Sequence, residues 1–235
     1  MKTLHSGGND RLRRKADVNW RVGTLPAFCN KLSPLATPVK PWHVFPMAAF
    51  DIALVPGRAC DACTVCCTAM AIDKPDIQKE AGVTCRHCTA GCTIYETRPA
   101  LCRDFYCGWR QLPILDESWR PDKSGVFVEL EPVDGQTGLS LVLVGNPLRT
   151  VRQTWFIDFV TVGVCGDLPL LLGIPGPRGH QGASLLLNTK QMLEAARISR
   201  ARVKDLLEKE LKRLQAHDFP PRVIVHTGNN TGLEV

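Results

Sequence analysis

The sequence contains no long hydrophobic run. Its longest apolar stretches, at 141–144 and 168–172, have the length of a strand and fall far short of the ~20 residues that a transmembrane helix needs. The positively charged N-terminus is not followed by an apolar segment, which argues against a secretory signal peptide. These absences predict a protein with no membrane association and a cytoplasmic location.

Beyond residue 46 the sequence also has no charge excess. Residues 1–46 contain eight basic and two acidic side chains, which accounts for the whole net charge of +6. Nucleic-acid binding would therefore depend on this basic segment alone. Repeated prolines interrupt any regular period there. We expect residues 1–46 to form a disordered and dispensable extension, with Met47 as an alternative start.

The sequence lacks the motifs of common catalytic and phosphate-binding sites. It contains no recognisable Ser/His/Asp arrangement and no paired Cys/His nucleophile. The Gly-rich segment 173–182 matches neither phosphate-binding fingerprint, and apolar strands flank it, so it predicts a surface loop. We therefore name no catalytic residue, and the sequence leaves open whether the protein is an enzyme.

Cysteine is abundant instead. Nine of the eleven cysteines lie at 60–107, in three groups with the spacing of chelating loops: Cys60, Cys63, Cys66 and Cys67; then Cys85, Cys88 and Cys92; then Cys102 and Cys107. Two intervening residues let a tight turn direct both sulfurs at one ion while nearby backbone N–H groups donate to the thiolates. A disulfide framework is the weaker alternative, because it needs an oxidising compartment and an even count. We predict that all nine are metal ligands, and that Cys29 and Cys165 are ordinary thiols.

The spacing does not choose between zinc and an iron–sulfur centre. Zinc takes four ligands per site, so two zinc sites would use eight of the nine cysteines. The run Cys60-x2-Cys63-x2-Cys66 also reproduces the first three ligands of a ferredoxin-type cluster, which Cys102 or Cys107 could complete. His87 is an alternative ligand, although the thiols already exceed what two sites need.

The segment 60–107 resembles the YkgJ-type cysteine-cluster family, described as zinc- or iron-chelating proteins and also found in flagellin lysine N-methylases. The resemblance rests on C-x2-C-x2-C-C at the start and on CTIYETRPALCRDFYC at 92–107. It covers 48 of the 235 residues and implies metal chelation. Residues 110–235 contain no methyltransferase motif, so methylation is not carried over to this chain.

Four further residues of this segment are candidates for contacts around the bound metal. We expect Arg98 and Arg103 to offset thiolate charge and to donate hydrogen bonds to sulfur. Tyr95 and Phe105 would shield the centre from water. Plain packing around the cysteines is the alternative role for the two aromatic side chains.

Outside the cysteines, the pattern predicts both helices and strands. Alternation and Asp-Gly turn chemistry predict a hairpin from strands at 125–131 and 139–145. The other predicted elements are a helix at 73–82 with Asp73 as its N-cap, strands at 155–164, 168–174, 184–187 and 223–226, and a helix at 188–217 capped by Asn188. We predict an α+β fold, in which a metal-stapled cysteine module at 47–120 packs on a small mixed sheet and a long C-terminal helix at 121–235 as one compact domain.

The sequence thus predicts a metal-binding protein that holds zinc or an iron–sulfur centre in a structural, carrier or redox role. One alternative is an iron–sulfur enzyme that modifies another protein. The other is a zinc-stabilised module that binds a protein partner, whose identity the sequence does not reveal.

Overall fold

A computed structural model describes the backbone of residues 40–41 and the whole of residues 53–74 and 77–221. The strands are β1 (Lys40–Pro41), β2 (Ile72–Lys74), β3 (Ile77–Lys79), β4 (Val126–Val133), β5 (Gln136–Leu143), β6 (Leu170–Ile174) and β7 (Ala183–Leu186). The helices are α1 (Val65–Ala69), α2 (Ala100–Asp104), α3 (Gly108–Gln111), α4 (Pro121–Ser124), α5 (Pro147–Val151), α6 (Thr154–Cys165), α7 (Lys190–Ile198) and α8 (Arg200–Gln215). Within the described residues no helix is both long and apolar enough to cross a membrane. The fold is of the mixed α+β class, as predicted.

The main sheet is a five-stranded mixed sheet in the order β1-β7-β6-β5-β4. The β5–β6 pair is parallel and the other pairs are antiparallel. The predicted hairpin is confirmed as β4 and β5, joined at Asp134 and Gly135, which have φ of 48° and 80°. Two consecutive positive φ values suit the right-handed twist of a tight hairpin. Lys40–Pro41 pairs with β7, so this part of the predicted extension belongs to the sheet.

The hydrophobic core lies between one face of this sheet and helices α5 to α8. Val126 and Val128 of β4 point into it, as the alternation predicts. From α8 the buried residues are Val203, Leu207, Leu211 and Leu214, at the spacing of one helical face. The Cys-rich module reaches the same core through Trp109, Leu115 and Trp119.

The predicted strand at 155–164 is wrong, because this segment forms α6. Its β-branched and aromatic content favours a strand, but its buried residues recur at helical spacing, including Phe156, Val160 and Val164. Packing against α7 and α8 therefore decides the conformation over intrinsic preference.

The single helix predicted at 188–217 is two helices, α7 and α8. Ser199 is extended between them, and its hydroxyl accepts a hydrogen bond from the backbone N–H of Arg202 at 3.3 Å. Thr189 caps α7 in place of the predicted Asn188. The Asn188 side chain instead joins the Leu168 carbonyl and the Leu170 N–H at 2.9 and 2.7 Å.

The helix predicted at 73–82 is also wrong. Strands β2 and β3 form a separate antiparallel hairpin there. Ile77 and Lys79 are both buried with Gln78 less so, and this period-two burial is typical of a strand. The predicted cap Asp73 lies in β2, and its carboxylate accepts a hydrogen bond from Gln78 Nε2 at 3.0 Å.

The described residues allow some of the remaining predictions to be compared with the structure. The segment 175–182 is a loop between β6 and β7, as expected for a surface connection. Cys165, at the end of α6, is disulfide-bonded, so its assignment as an ordinary thiol is wrong. The predicted strand at 223–226, Cys29, Met47 and most of residues 1–46 lie outside the described residues.

Candidate metal centre

The segment 82–106 carries four of the nine clustered cysteines and has no hydrophobic core of its own, and we name it the coreless segment. From residue 82 to residue 106 no residue is buried. Its regular structure is limited to a 3-10 turn at Tyr95–Thr97 and the five residues of α2. Apolar burial is the usual stabilising force of a domain. Packing alone therefore gives this segment little stability.

Four cysteines line one small cavity, and we name them the inner thiol group: Cys60, Cys63, Cys66 and Cys107. The turn at 60–63 is closed by a hydrogen bond from the Cys63 N–H to the Cys60 carbonyl at 2.7 Å. Cys107 comes from the N-terminus of α3, far along the chain. The other lining residues include Phe105, Trp109 and Phe127, so the thiols face largely apolar and aromatic surface.

Burial and nearby donor groups have opposite effects on the pKa values of the inner thiols. Burial raises the pKa of the Cys107 thiol to about 11, and it also raises the pKa of Cys63. Backbone N–H groups act in the opposite direction, from Arg110 at Cys107 and from Val65 at Cys63. Arg110 Nη1 donates to Cys60 Sγ at 3.5 Å. These are the groups that favour a thiolate over a thiol.

The remaining five cysteines form a second cluster, which we name the outer thiol group: Cys67, Cys85, Cys88, Cys92 and Cys102. The backbone joins its members, because the Cys85 N–H donates to the Cys67 carbonyl and the Cys88 N–H to the Cys85 carbonyl, both at 2.9 Å. Cys88 and Cys92 form an antiparallel bridge. Hydrogen bonding with the Cys66 side chain raises the pKa of Cys67, whereas hydrogen bonding with Cys88 lowers it. Burial, then the nearby thiols of Cys67, Cys85 and Cys92, raise the pKa of Cys102.

Lys79 is a buried cation beside the outer thiol group. Its ammonium donates to the carbonyls of Thr68 at 3.2 Å, Glu80 at 3.3 Å and Val83 at 2.9 Å, and also to that of Met70. Burial lowers the pKa of Lys79, and four cysteines of the two groups oppose this by favouring its charged form. The side chain thus ties the end of α1, which carries Cys66 and Cys67, to β3 and to the start of the coreless segment.

The donor set fits a thiophilic metal by its chemistry. All nine thiols are free. Within the described residues, however, no three His, Cys, Asp or Glu side chains stand in an arrangement that would hold an ion. Loading would therefore have to draw the sulfurs of each group together. Arg110 Nε supports the fit, because it is buried beside the inner thiol group without an acceptor among the described residues. A thiolate would give this donor a partner.

The four residues predicted to contact the bound metal's surroundings differ in how closely they approach the cysteines. Phe105 lines the inner cavity and stacks on Phe127 with ring centroids 5.8 Å apart. Tyr95 is 41% exposed and is covered by the Arg98 guanidinium, 3.6 Å from its ring centroid. Arg98 also lies close enough to Cys102 to favour its thiolate. Arg103 is exposed in α2.

His87 and two basic residues complete the surroundings. The His87 ring accepts a hydrogen bond from Arg86 Nε at 3.1 Å. Sequence reasoning missed Arg110 and Lys79. Arg110 follows the last cysteine of the cluster by three residues, and this spacing was the one available signal for it. For Lys79 the alternating pattern of β3 was the signal.

No protein-family model, curated protein or solved structure matches the chain. The assignment of the site therefore depends on the residues and their arrangement.

Proposed function

We propose that this protein binds metal ions through the thiolates of the inner and outer groups. The observation that carries the proposal is the contrast within the chain: residues 82–106 contain no buried side chain, yet they supply four of nine free thiols that gather into two clusters. Metal coordination can supply the folding free energy that such a segment lacks, as it does in small metal-dependent domains. The resemblance to the YkgJ-type family is part of the same proposal.

The number of donors in the inner thiol group suits a single ion. One zinc ion takes four thiolates in a tetrahedron, and four cysteines line this cavity. The outer thiol group suits zinc or an iron–sulfur cluster by its donors.

The chemistry that the metal would supply is structural at the inner group and carrier or redox chemistry at the outer group. Arg110 would donate to the inner thiolates, and Lys79 would balance charge beside the outer ones. A protein partner remains a prediction without a described surface to support it. The cytoplasm is the proposed location, because nine of the ten cysteines among the described residues are free thiols, which a reducing compartment preserves; Cys165 is the exception.

Elemental analysis and colour test the proposal. The protein is purified anaerobically, and zinc, iron and sulfide are measured per chain. Colourless protein with about two zinc ions per chain is expected if both groups bind zinc; a brown protein with iron and sulfide identifies a cluster.

Two variants test the ligand assignment. We expect Cys63→Ser to release metal from the inner thiol group, and Cys88→Ser to release it from the outer group. The matched control is Ser118→Ala, which replaces an exposed hydroxyl in a neighbouring turn. Wild-type protein that retains no metal under reducing, anaerobic conditions would refute the proposed function.

A further inference from the structure

We infer that the two thiol groups divide the work: the outer thiol group exchanges its ion with external ligands, whereas the inner thiol group holds its ion as a permanent structural centre. The inference rests on the proposed function and adds a specific role to each group. It follows from three differences between the groups, in their cover, their anchoring and their number of donors.

Apolar and aromatic side chains cover one side of the inner thiol group. Phe105, Trp109, Pro121 and Phe127 line its cavity, and Phe105 stacks on Phe127 of the main sheet. Trp109 is only 3% exposed. A chelator that approaches an ion from this side must displace these side chains, and Trp109 and Phe127 belong to the buried core. Displacing them costs part of the free energy of unfolding.

The anchoring of the inner thiol group has the same consequence. Arg58 donates from Nη1 to the Leu112 carbonyl at 3.0 Å and also to the carbonyls of Trp109 and Leu115. This guanidinium joins the start of the cysteine segment to the chain that follows Cys107. The two ends of the inner thiol group therefore cannot separate without losing these charged hydrogen bonds.

The outer thiol group is open by comparison. The loop around Cys85, Cys88 and Cys92 has exposed residues at 84, 86, 89 and 90. Most of its backbone hydrogen bonds are local, such as the one from the Thr93 N–H to the His87 carbonyl at 2.8 Å. A loop without buried side chains opens at low free-energy cost, so an incoming ligand can approach an ion bound there.

The number of donors also suits exchange. The outer thiol group has five cysteines, whereas a tetrahedral ion takes four. With zinc bound, exchange would proceed by ligand substitution: a thiolate or nitrogen of the acceptor would bond to the ion as one cysteine sulfur leaves. The leaving thiolate would take a proton from water, and the zinc ion would keep its charge of 2+. The fifth cysteine can rebind an ion that has lost one ligand, so stepwise transfer needs no bare intermediate.

A thiol-alkylation time course on the zinc-loaded, full-length protein tests this directly. The chelator 4-(2-pyridylazo)resorcinol is added, and isotope-labelled N-ethylmaleimide pulses mark the thiols that become free. Trypsin digestion then places four of the outer cysteines and Cys107 of the inner thiol group on different peptides. Residues 80–86 carry Cys85, residues 87–103 carry three more outer cysteines, and residues 104–110 carry Cys107 of the inner thiol group.

We expect the peptides 80–86 and 87–103 to become labelled at least about tenfold faster than 104–110, because exposure and local opening govern access. Equal rates, or faster labelling of 104–110, would overturn the division of work while leaving metal binding intact. Complete labelling of all peptides before chelator is added would instead refute the proposed function itself. The two failures are therefore distinguishable in one experiment.

A pair of variants sharpens the result. Phe105→Ala removes the ring that closes the inner cavity, and we expect it to speed labelling of Cys107 by about tenfold with little effect on the outer peptides. Leu101→Ala is the matched control, since this apolar side chain is 37% exposed and lies in α2 of the same segment. An inner rate that Phe105→Ala leaves unchanged would contradict the role of the aromatic cover, even if the variant binds zinc normally.

Discussion

Replacing Lys79 by methionine removes a buried ammonium that joins α1, β3 and the start of the coreless segment. The four carbonyls that it contacts lose their charged donor: those of Thr68, Met70, Glu80 and Val83. An ammonium donates three hydrogen bonds, each worth about 1.5–3 kcal/mol net when a charge takes part. Dehydration of the ammonium, which lowers the pKa of Lys79, offsets part of this sum.

We therefore expect Lys79→Met to destabilise this region by about 3 kcal/mol. The assay is hydrogen exchange in the reduced, zinc-loaded protein, read at the N–H groups of Gly82 and Cys85. These two groups donate to the carbonyls of Thr68 and Cys67 at 3.0 and 2.9 Å. Since 1.4 kcal/mol corresponds to a factor of ten, their exchange should be faster by roughly 100-fold.

Lys74→Met is the matched control. Lys74 lies in β2 of the same hairpin and is exposed, so its loss should change exchange at these amides less than about threefold. Unchanged exchange in Lys79→Met would refute the reasoning that this side chain holds α1 against the hairpin. A change as large in Lys74→Met would show instead that charge in general, and not the buried contacts, stabilises the region.

Three more perturbations have defined outcomes. Gly108→Ala should destabilise the protein by about 1–3 kcal/mol in urea unfolding, because the new Cβ would stand 2.6 Å from Val128 Cγ1. The control Gly91→Ala should be close to neutral, since its nearest atom is 3.7 Å away. Equal effects of the two variants would contradict the packing of α3 on β4. Burial, and then the Glu131 carboxylate, raise the pKa of Glu129 from 4.5 to about 8. The protonated side chain therefore contributes to stability below pH 4.5, and this contribution is lost as pH rises towards 8. Glu129→Gln should then be more stable than the wild type by about 3 kcal/mol at pH 7 and by little at pH 4.5; parallel urea curves at both pH values would contradict this sign. Arg110→Gln should weaken zinc binding at the inner thiol group by about 10-fold or more in a chelator competition, because Arg110 donates a hydrogen bond to Cys60 Sγ. Arg103→Gln, at an exposed position, should leave the zinc affinity unchanged. A larger loss of affinity in Arg103→Gln than in Arg110→Gln would contradict the placement of the two arginines.

Local sequence signals predict the hairpin of β4 and β5 but not α6. At Asp134 and Gly135 the turn chemistry and the alternating strands agree, so the local pattern determines the structure. In α6 the residue types favour a strand, and only contacts with α7 and α8, distant in sequence, select the helix. Ser199 illustrates a third case: its capping side chain interrupts a helical pattern that otherwise continues.

The candidate site shows the same limit. Sequence spacing identifies the nine cysteines as one set and divides them by their position along the chain. In the structure, Cys66 lines the inner cavity, whereas its neighbour Cys67 is hydrogen-bonded both to Cys66 and to Cys88 of the outer thiol group. Cys107 joins Cys60 and Cys63 because α3 packs on β4, a contact that spacing does not reveal. The partners Arg110 and Lys79 likewise come from tertiary packing.

Native mass spectrometry of the anaerobically purified, full-length protein tests the central claim most directly. The account predicts a chain that carries two separate metal centres, one of which leaves under mild chelation while the other remains. Cys88→Ser should lose the labile centre, and Cys107→Ser should lose the retained one. A wild-type chain with the mass of the bare polypeptide, and with nine thiols that alkylate at once in the folded state, would contradict the account.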